Sequence, residues 1–409
     1  MRPLSHQTPW FEYAAIVLMA IFFLVPAWGT MVSWYVVLAF CLAYFGLASL
    51  LFVRSSKTRW IIVGMFAMVL LATFLFSIMA EPITIAPSSS DGFSLNFFIS
   101  TLEQLFFSFF PAFLFYRMAT SSSASQVKIL LVVVSIVILY VVTHSLHELA
   151  ENPRLSRMND VDMEIAQKNV ANFDFVYALT GLVPVLTYCF FQVKGKIAKL
   201  LIALGLVYLY FFIFKAQYTL SFLVSLIALF VVVYDNLPSN LIVKYLFWIV
   251  IFIIVVNLPA IFSLLSNLVD SEDMVDRFDE LGGFLGSGES EGDMQSRLVL
   301  YASAIEDFLN SPIIGNYHIG YNPHSTFLTW LAYTGIVGSL PLFYLYWKTP
   351  GLVLRFLQEK HSAVAYKAVI LTLVLNGLTN PIHSNNSYAM VVFFIAPLVL
   401  LHFSKTRVK

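Results

Sequence analysis

The chain has 409 residues, of which 59% are hydrophobic and 11% charged, and its formal net charge is zero. An ordinary soluble domain is about half apolar and about a quarter charged. The composition therefore excludes a soluble multidomain enzyme, a disulfide-built secreted scaffold and a disordered chain, and the neutral balance offers no basic field for nucleic acid.

In chain order, apolar runs fall at about 13–29, 31–53, 60–80, 93–116, 129–146, 174–192, 198–214, 219–234, 245–265, 325–347, 366–382 and 388–403. A helix needs roughly 20 apolar residues to cross a bilayer. Most runs are apolar all round, as buried or lipid-facing helices are. The first run follows a short polar start with Arg2. It lacks a small-residue cleavage site and another run follows at once, so it reads as a retained helix. The expectation is an all-α polytopic membrane protein with about 12 spans. Residues 1–265 would carry nine spans and an outer loop at about 147–173. Residues 266–324 would form one large outer loop, and 325–409 three further spans and a tail. Cys41 and Cys189 both lie in apolar runs, which supports neither a CxxC site nor a disulfide framework.

The basic residues set the orientation, because cytoplasmic loops carry the excess of Lys and Arg. With both termini in the cytoplasm, seventeen of the 23 basic residues fall inside and nineteen of the 23 acids outside. The six outer cations are Arg154, Arg157, Lys168, Lys215, Arg277 and Arg297. The first three share their loop with Glu148, Glu151, Asp160, Asp162 and Glu164, which suffice to pair them. Lys215 lies in a short hairpin with no acid.

The large loop begins with an acidic stretch from Asp270 to Asp293. Its middle carries Gly282, Gly283, Gly286, Gly288 and Gly292, and should be mobile. It has no D-x-D-x-D-G calcium loop. From Met294 to Asn310, Leu298, Tyr301, Ala304, Ile305 and Phe308 recur at spacings of three and four. That pattern predicts an amphipathic helix on the outer membrane surface, ended by Pro312 and Gly315. A mobile flap followed by a surface helix predicts a lid.

Other candidates are scattered. His144 and His147 share a helical face, but no further Cys or His completes a zinc set. His318 and His383 either line a site or satisfy their own turns. Glu103 is the ionisable residue deepest in a span, roughly aligned with Asn96, Ser100 and Ser108. It is either functional or holds two helices together. No Walker-type loop, dinucleotide fingerprint or nucleophile elbow is present.

Residues 322–338 read Asn-Pro-His-Ser-Thr-Phe-Leu-Thr-Trp-Leu-Ala-Tyr-Thr-Gly-Ile-Val-Gly. His324-Ser325, nine residues and Gly335-x-x-Gly338 resemble the H-[NSQ]-x9-G-x-x-G signature of the O-antigen polymerase and O-antigen ligase superfamily. Arg297 and the Ser311-Pro312-x-x-Gly315 stretch also look like that family's large loop. The detailed match covers residues 296–338, and the span layout extends it over the chain. Two positions depart from the pattern: Ser339 closes the motif, and Lys215 stands where the family often has an arginine.

The resemblance implies a membrane fold similar to the C-type glycosyltransferases. It also implies a multi-pass enzyme of the bacterial inner membrane, with its site facing the periplasm. The donor would be an undecaprenyl-diphosphate-linked oligosaccharide and the acceptor a second glycan. A flippase and a chain-length regulator are implied partners, and nucleic acid is not. Polymerase is the preferred reading. A ligase that moves the glycan to lipid A–core is the alternative, and a 12-span secondary transporter is less favoured because no internal repeat is evident.

The chemistry asks for two things. Charge builds on the departing diphosphate, which arginine meets with paired charge-assisted bonds. The attacking hydroxyl must lose a proton, which suits histidine. His324 is thus the expected base and Arg297 the expected clamp, with Arg277 and Lys215 as further cations. Ser325, His318, His383 and Glu103 complete the candidate substrate-binding set. No cofactor and no metal are expected.

Overall fold

The computed structural model describes residues 9–26, 28, 32–53, 55–79, 95–152, 155, 170–267, 272–287, 292–316, 324–382 and 386–407. Among these, all regular structure is helical. The first five helices are α1 (Trp10–Leu24), α2 (Trp34–Phe52), α3 (Ser56–Met79), α4 (Leu95–Ser121) and α5 (Ala124–Glu151). Next come α6 (Phe173–Gln192), α7 (Lys196–Lys215), α8 (Thr219–Asn236), α9 (Leu241–Val256), α10 (Leu258–Ser266), α11 (Glu272–Ser287) and α12 (Gly292–Asn310). The last are α13 (Thr326–Leu354), α14 (Lys360–Thr379), α15 (Asn386–Met390) and α16 (Ala396–Arg407), with a π-helical turn at Val391–Ile395 joining α15 to α16.

Among the described residues ten helical stretches are long and apolar enough to cross a membrane, or eleven if a bent pair counts as one span. The first and ninth expected runs differ from a straight span, each for a local reason. The helix α1 ends at Leu24 because Val25 is extended (φ −99°, ψ 105°) and precedes Pro26, and a residue before proline avoids the α conformation. Its 15 residues reach about 22 Å, short of a hydrocarbon core of about 30 Å. The ninth run breaks at Asn257, where α9 and α10 meet at a 60° bend. Asn257 Nδ2 donates to Ile253 O at 2.7 Å. Pro259 then opens α10, where its missing N–H leaves nothing unpaired.

The most buried spans are α6 and the α15–α16 segment, so these form the axis of the bundle. Around them α6 packs on α8 and α14, and α13 packs on α3. The helix α9 is different: it has no buried residue, and apolar side chains such as Leu246, Phe252 and Val256 are exposed along it. A helix apolar all round with no protein cover suits a lipid surround.

One end of the bundle is tied by charge. Arg117 near the end of α4 grips Glu12 of α1, with Nε 3.0 Å and Nη2 2.8 Å from Oε1 and Nη2 3.0 Å from Oε2. Tyr44 of α2 donates to the same Oε1 at 2.9 Å. Both charged side chains are almost fully buried. At this end Tyr188 Oη also meets Glu359, and His361 Nδ1 lies 2.7 Å from Asp235 Oδ2. The helix α5 starts here on a reciprocal cap: Gln126 N donates to Ser123 Oγ, and Ser123 N to Gln126 Oε1.

The glycine-rich middle of the large loop, read as mobile from composition, is helical as far as Ser287, and residues 288–291 lie outside the described residues. Gly282, Gly283 and Gly286 lie inside α11. A Cβ on Gly282 would stand 3.5 Å from Pro259 O and 3.8 Å from Phe262 Cβ, and one on Gly286 would stand 3.7 Å from Pro259 Cβ. These two glycines, four apart, turn the same face of α11 toward α10. Phe278 seals the pair, its ring 5.9 Å from both Phe262 and Phe214.

Candidate functional site

The end of the bundle opposite Glu12 gathers one end each of α6, α7, α8, α12, α13 and α14. Its centre is the last turn of α14. Helix C-termini leave carbonyls without intrahelical partners, and here α12 and the start of α13 use them. Gly377 O accepts from Ser325 Oγ at 3.3 Å. Thr379 O accepts from Arg297 Nη1 at 3.1 Å and from Tyr301 Oη at 3.4 Å. Asn380 O accepts from both Thr326 N and Thr326 Oγ1, each at 3.1 Å. The chain beyond returns the contact, since Ile382 N donates to Thr326 Oγ1 at 2.7 Å.

Arg297 and the segment that begins at His324 are therefore seated on neighbouring residues of one turn. Arg297 is half-buried on α12. His324 is exposed and takes φ 51°, one of two positive-φ non-glycine residues among those described. That conformation costs of order 1–3 kcal/mol and persists where surrounding contacts over-determine it. The contacts that do so are those of Ser325 and Thr326. Ser325 caps α13 by accepting from Leu328 N at 3.3 Å, and it is fully buried. Its hydroxyl fixes the start of the helix from beneath, while His324 stands at its mouth.

The second positive-φ residue is Gln217, at 64° and buried, in the turn after Lys215. Lys215 itself is exposed in the last turn of α7. Tyr218 of this turn meets Tyr177 of α6 edge-on at 5.6 Å. Tyr177 Oη donates to Asn380 Oδ1 at 2.7 Å. A continuous chain of contacts thus runs from the Lys215 turn to the seats of Arg297 and Thr326.

The glycines of the motif have a backbone function. The helix α13 is broken at Gly335 (φ 58°, ψ −163°), and the break leaves backbone groups that the 311–316 stretch takes up. Ile336 N donates to Pro312 O at 2.9 Å, Val337 N to Ile313 O at 3.1 Å, and Asn316 N to Ala332 O at 2.7 Å. Gly315 (φ +77°) lies directly against this break, and a Cβ on Gly335 would stand 2.5 Å from Gly315 N and Ile313 O. Only glycine tolerates such an approach at positive φ. Pro312-x-x-Gly315 and Gly335 are two halves of one joint, which fixes the end of α12. Asp307 Oδ1 adds to it by accepting from Asn316 Nδ2 at 2.9 Å. Gly335→Ala is expected to undo the joint at a cost of roughly 1–3 kcal/mol of backbone strain. Limited proteolysis should then cut near residues 311–323 faster than in the parent protein.

The helix α12 turns a different face inward from the one its spacing suggests. Ala304 is buried against Ala332 and Tyr333, with Tyr301 and Phe308 partly buried, whereas Leu298 and Ile305 are exposed. Leu298, Ile305 and Leu309 form a second apolar stripe that points away from the bundle.

Other expected residues lie apart. Glu103 is half-buried in α4, and no described hydrogen bond joins it to the α14 turn. Arg277 falls in α11, its side chain outside the described set, and His318 and His383 lie outside the described residues. His144 stacks flat on Tyr140 at 5.9 Å. Among the described residues no three His, Cys, Asp or Glu side chains group as a metal site.

Residues of the site that the sequence reading passed over are Thr326, Thr379, Asn380, Tyr177 and Asp174. Asp174 caps the start of α15, its two oxygens accepting from Ser387 N and Tyr388 N at 3.0 Å each. Asn172 caps the run to which Asp174 belongs, accepting from Phe175 N at 3.1 Å, so local sequence does not mark Asp174 as the cap of a distant helix. Fold and site together define a multi-pass α-helical membrane protein with a polar cluster at one end of its bundle. No family model matches the chain, and no curated protein shows significant similarity to it.

Proposed function

We infer that the protein is a glycan polymerase of the O-antigen type. It joins undecaprenyl-diphosphate-linked repeat units at the periplasmic face of the bacterial inner membrane. The observation that carries this reading is the seating of Arg297 and of the His324 segment on one turn, residues 377–380. A transferase of this kind needs a cation fork for the departing diphosphate and a proton acceptor for the incoming hydroxyl. Arg297 supplies the fork, and His324 accepts the proton. Lys215 lies across the same end and adds charge for the diphosphate. The outward stripe of α12 suits the membrane interface, where a lipid-linked donor presents its diphosphate.

The sugar–diphosphate bond is already activated, so the donor brings its own driving force. Guanidinium groups can meet the diphosphate charge directly. Purified protein given a synthetic lipid-linked repeat unit should build longer lipid-linked chains, and should continue to do so in the presence of a metal chelator. Absence of chain growth with intact folded protein contradicts the reading. Activity lost to chelator and restored by divalent ion would assign the charge to a metal rather than to Arg297.

A further inference from the structure

One polar side chain beneath the site has no part in the chemistry just described. Asn376 lies in α14, one turn before Asn380, and is fully buried. Its Nδ2 donates to Thr180 Oγ1 of α6 and to Tyr388 Oη of α15, each at 3.1 Å. Both acceptors have committed their own protons elsewhere. Thr180 Oγ1 donates to Tyr177 O at 2.7 Å, and Tyr388 Oη to Thr372 Oγ1 at 3.2 Å. The amide must therefore turn its NH2 toward them, which fixes its orientation. No described residue donates to Asn376 Oδ1.

A buried amide with an open acceptor is costly, and a leucine of similar size would avoid that cost. Such breaches of packing logic concentrate where position matters more than stability. Here the place is telling. The carbonyls directly above Asn376 are those of Gly377, Thr379 and Asn380, which seat Ser325, Arg297 and Thr326.

We propose that Asn376 is a positioning residue. By tying α14 to α6 and α15 at once, it sets the depth and rotation of the last turn of α14. It thereby sets the seats of Arg297 and of the His324 segment. The kinetic consequence rests on the glycan-transfer reading above, whereas the structural consequence does not.

The test uses the full-length protein carrying Asn376→Leu. Tyr388→Phe serves as a second variant that keeps the amide and removes one partner. Two amides report the seat directly: Thr326 N, bonded to Asn380 O, and Ile382 N, bonded to Thr326 Oγ1. Their hydrogen exchange should quicken by about tenfold or more while amides inside α6 and α13 keep their protection. Transfer kcat should fall by about tenfold or more with KM little changed, because a misplacement near 1 Å can cost on the order of a hundredfold.

Unchanged exchange at Thr326 and Ile382 in both variants overturns the proposal. So does exchange that rises evenly through the bundle, which marks general loosening. Quickened local exchange with unchanged kcat removes any role in the reaction. Should the parent protein show no transfer at all while local exchange responds as expected, the glycan reading falls and the positioning of the α14 turn stands.

Discussion

Replacement of His324 by alanine is expected to abolish glycan transfer while protein level and membrane insertion stay normal. The side chain is exposed, and truncating an exposed side chain usually changes stability by no more than about 0.5 kcal/mol. Loss of a general base typically costs about a hundredfold to ten-thousandfold in rate. Arg297→Lys is expected to be severely impaired too. The guanidinium already gives one N–H to Thr379 O, and its planar fork leaves other N–H groups directed away from that bond. An ammonium is a single point of charge and cannot hold the carbonyl and two phosphate oxygens in one plane. The expected loss is of order a hundredfold to a thousandfold, as for removal of one preorganised charge-stabilising donor. If Arg297 served only to hold α12 onto α14, lysine would nearly suffice. A glycan ladder from cells carrying Arg297→Lys at matched expression separates the two roles, and a normal ladder reduces Arg297 to a tether.

The second large effect concerns the opposite end of the bundle. Arg117→Ala would strand the Glu12 carboxylate, which is buried and receives three hydrogen bonds from that guanidinium. Removing one partner of a buried pair costs about 3–5 kcal/mol, because an uncompensated charge stays behind. Replacing both partners by apolar residues of similar size often restores stability. Thermal unfolding of the purified protein in detergent should show a clear fall in midpoint for Arg117→Ala. Recovery is expected in the double variant Glu12→Leu, Arg117→Met. An unchanged midpoint in Arg117→Ala would contradict the assignment of this pair as the anchor of α1.

The contrast between these two charge sites shows what the sequence made legible. Composition and run length revealed the spans, because a membrane helix must be apolar along its whole length. They did not reveal the Glu12–Arg117 pair. Its members sit 105 residues apart and each reads as an ordinary charge at a helix end. The break at Asn257 was hidden inside a continuous apolar run, although Pro259 carried the cue. Gly282, Gly283 and Gly286 read as flexible in composition, yet all three lie within α11, where Gly282 and Gly286 face Pro259. Spacing cannot distinguish these roles without the partner helix. On α12 the period found the helix but chose a mixed face, since two apolar stripes coexist about 100° apart. His324 and Arg297 could be singled out because a motif and an unusual outer cation marked them. Asn376 and Asn380 could not, because their partners Thr180 and Tyr177 lie some 200 positions away.

The surface glycan ladder of a strain lacking this protein, with and without the parent gene restored, tests the central claim most directly. Polymerase activity predicts loss of long chains with a single repeat still attached to the lipid A–core, and full recovery on restoration. Loss of every repeat from the core, with long lipid-linked chains accumulating, would instead indicate ligation. A ladder identical to the parent strain's would contradict a glycan transferase of either kind.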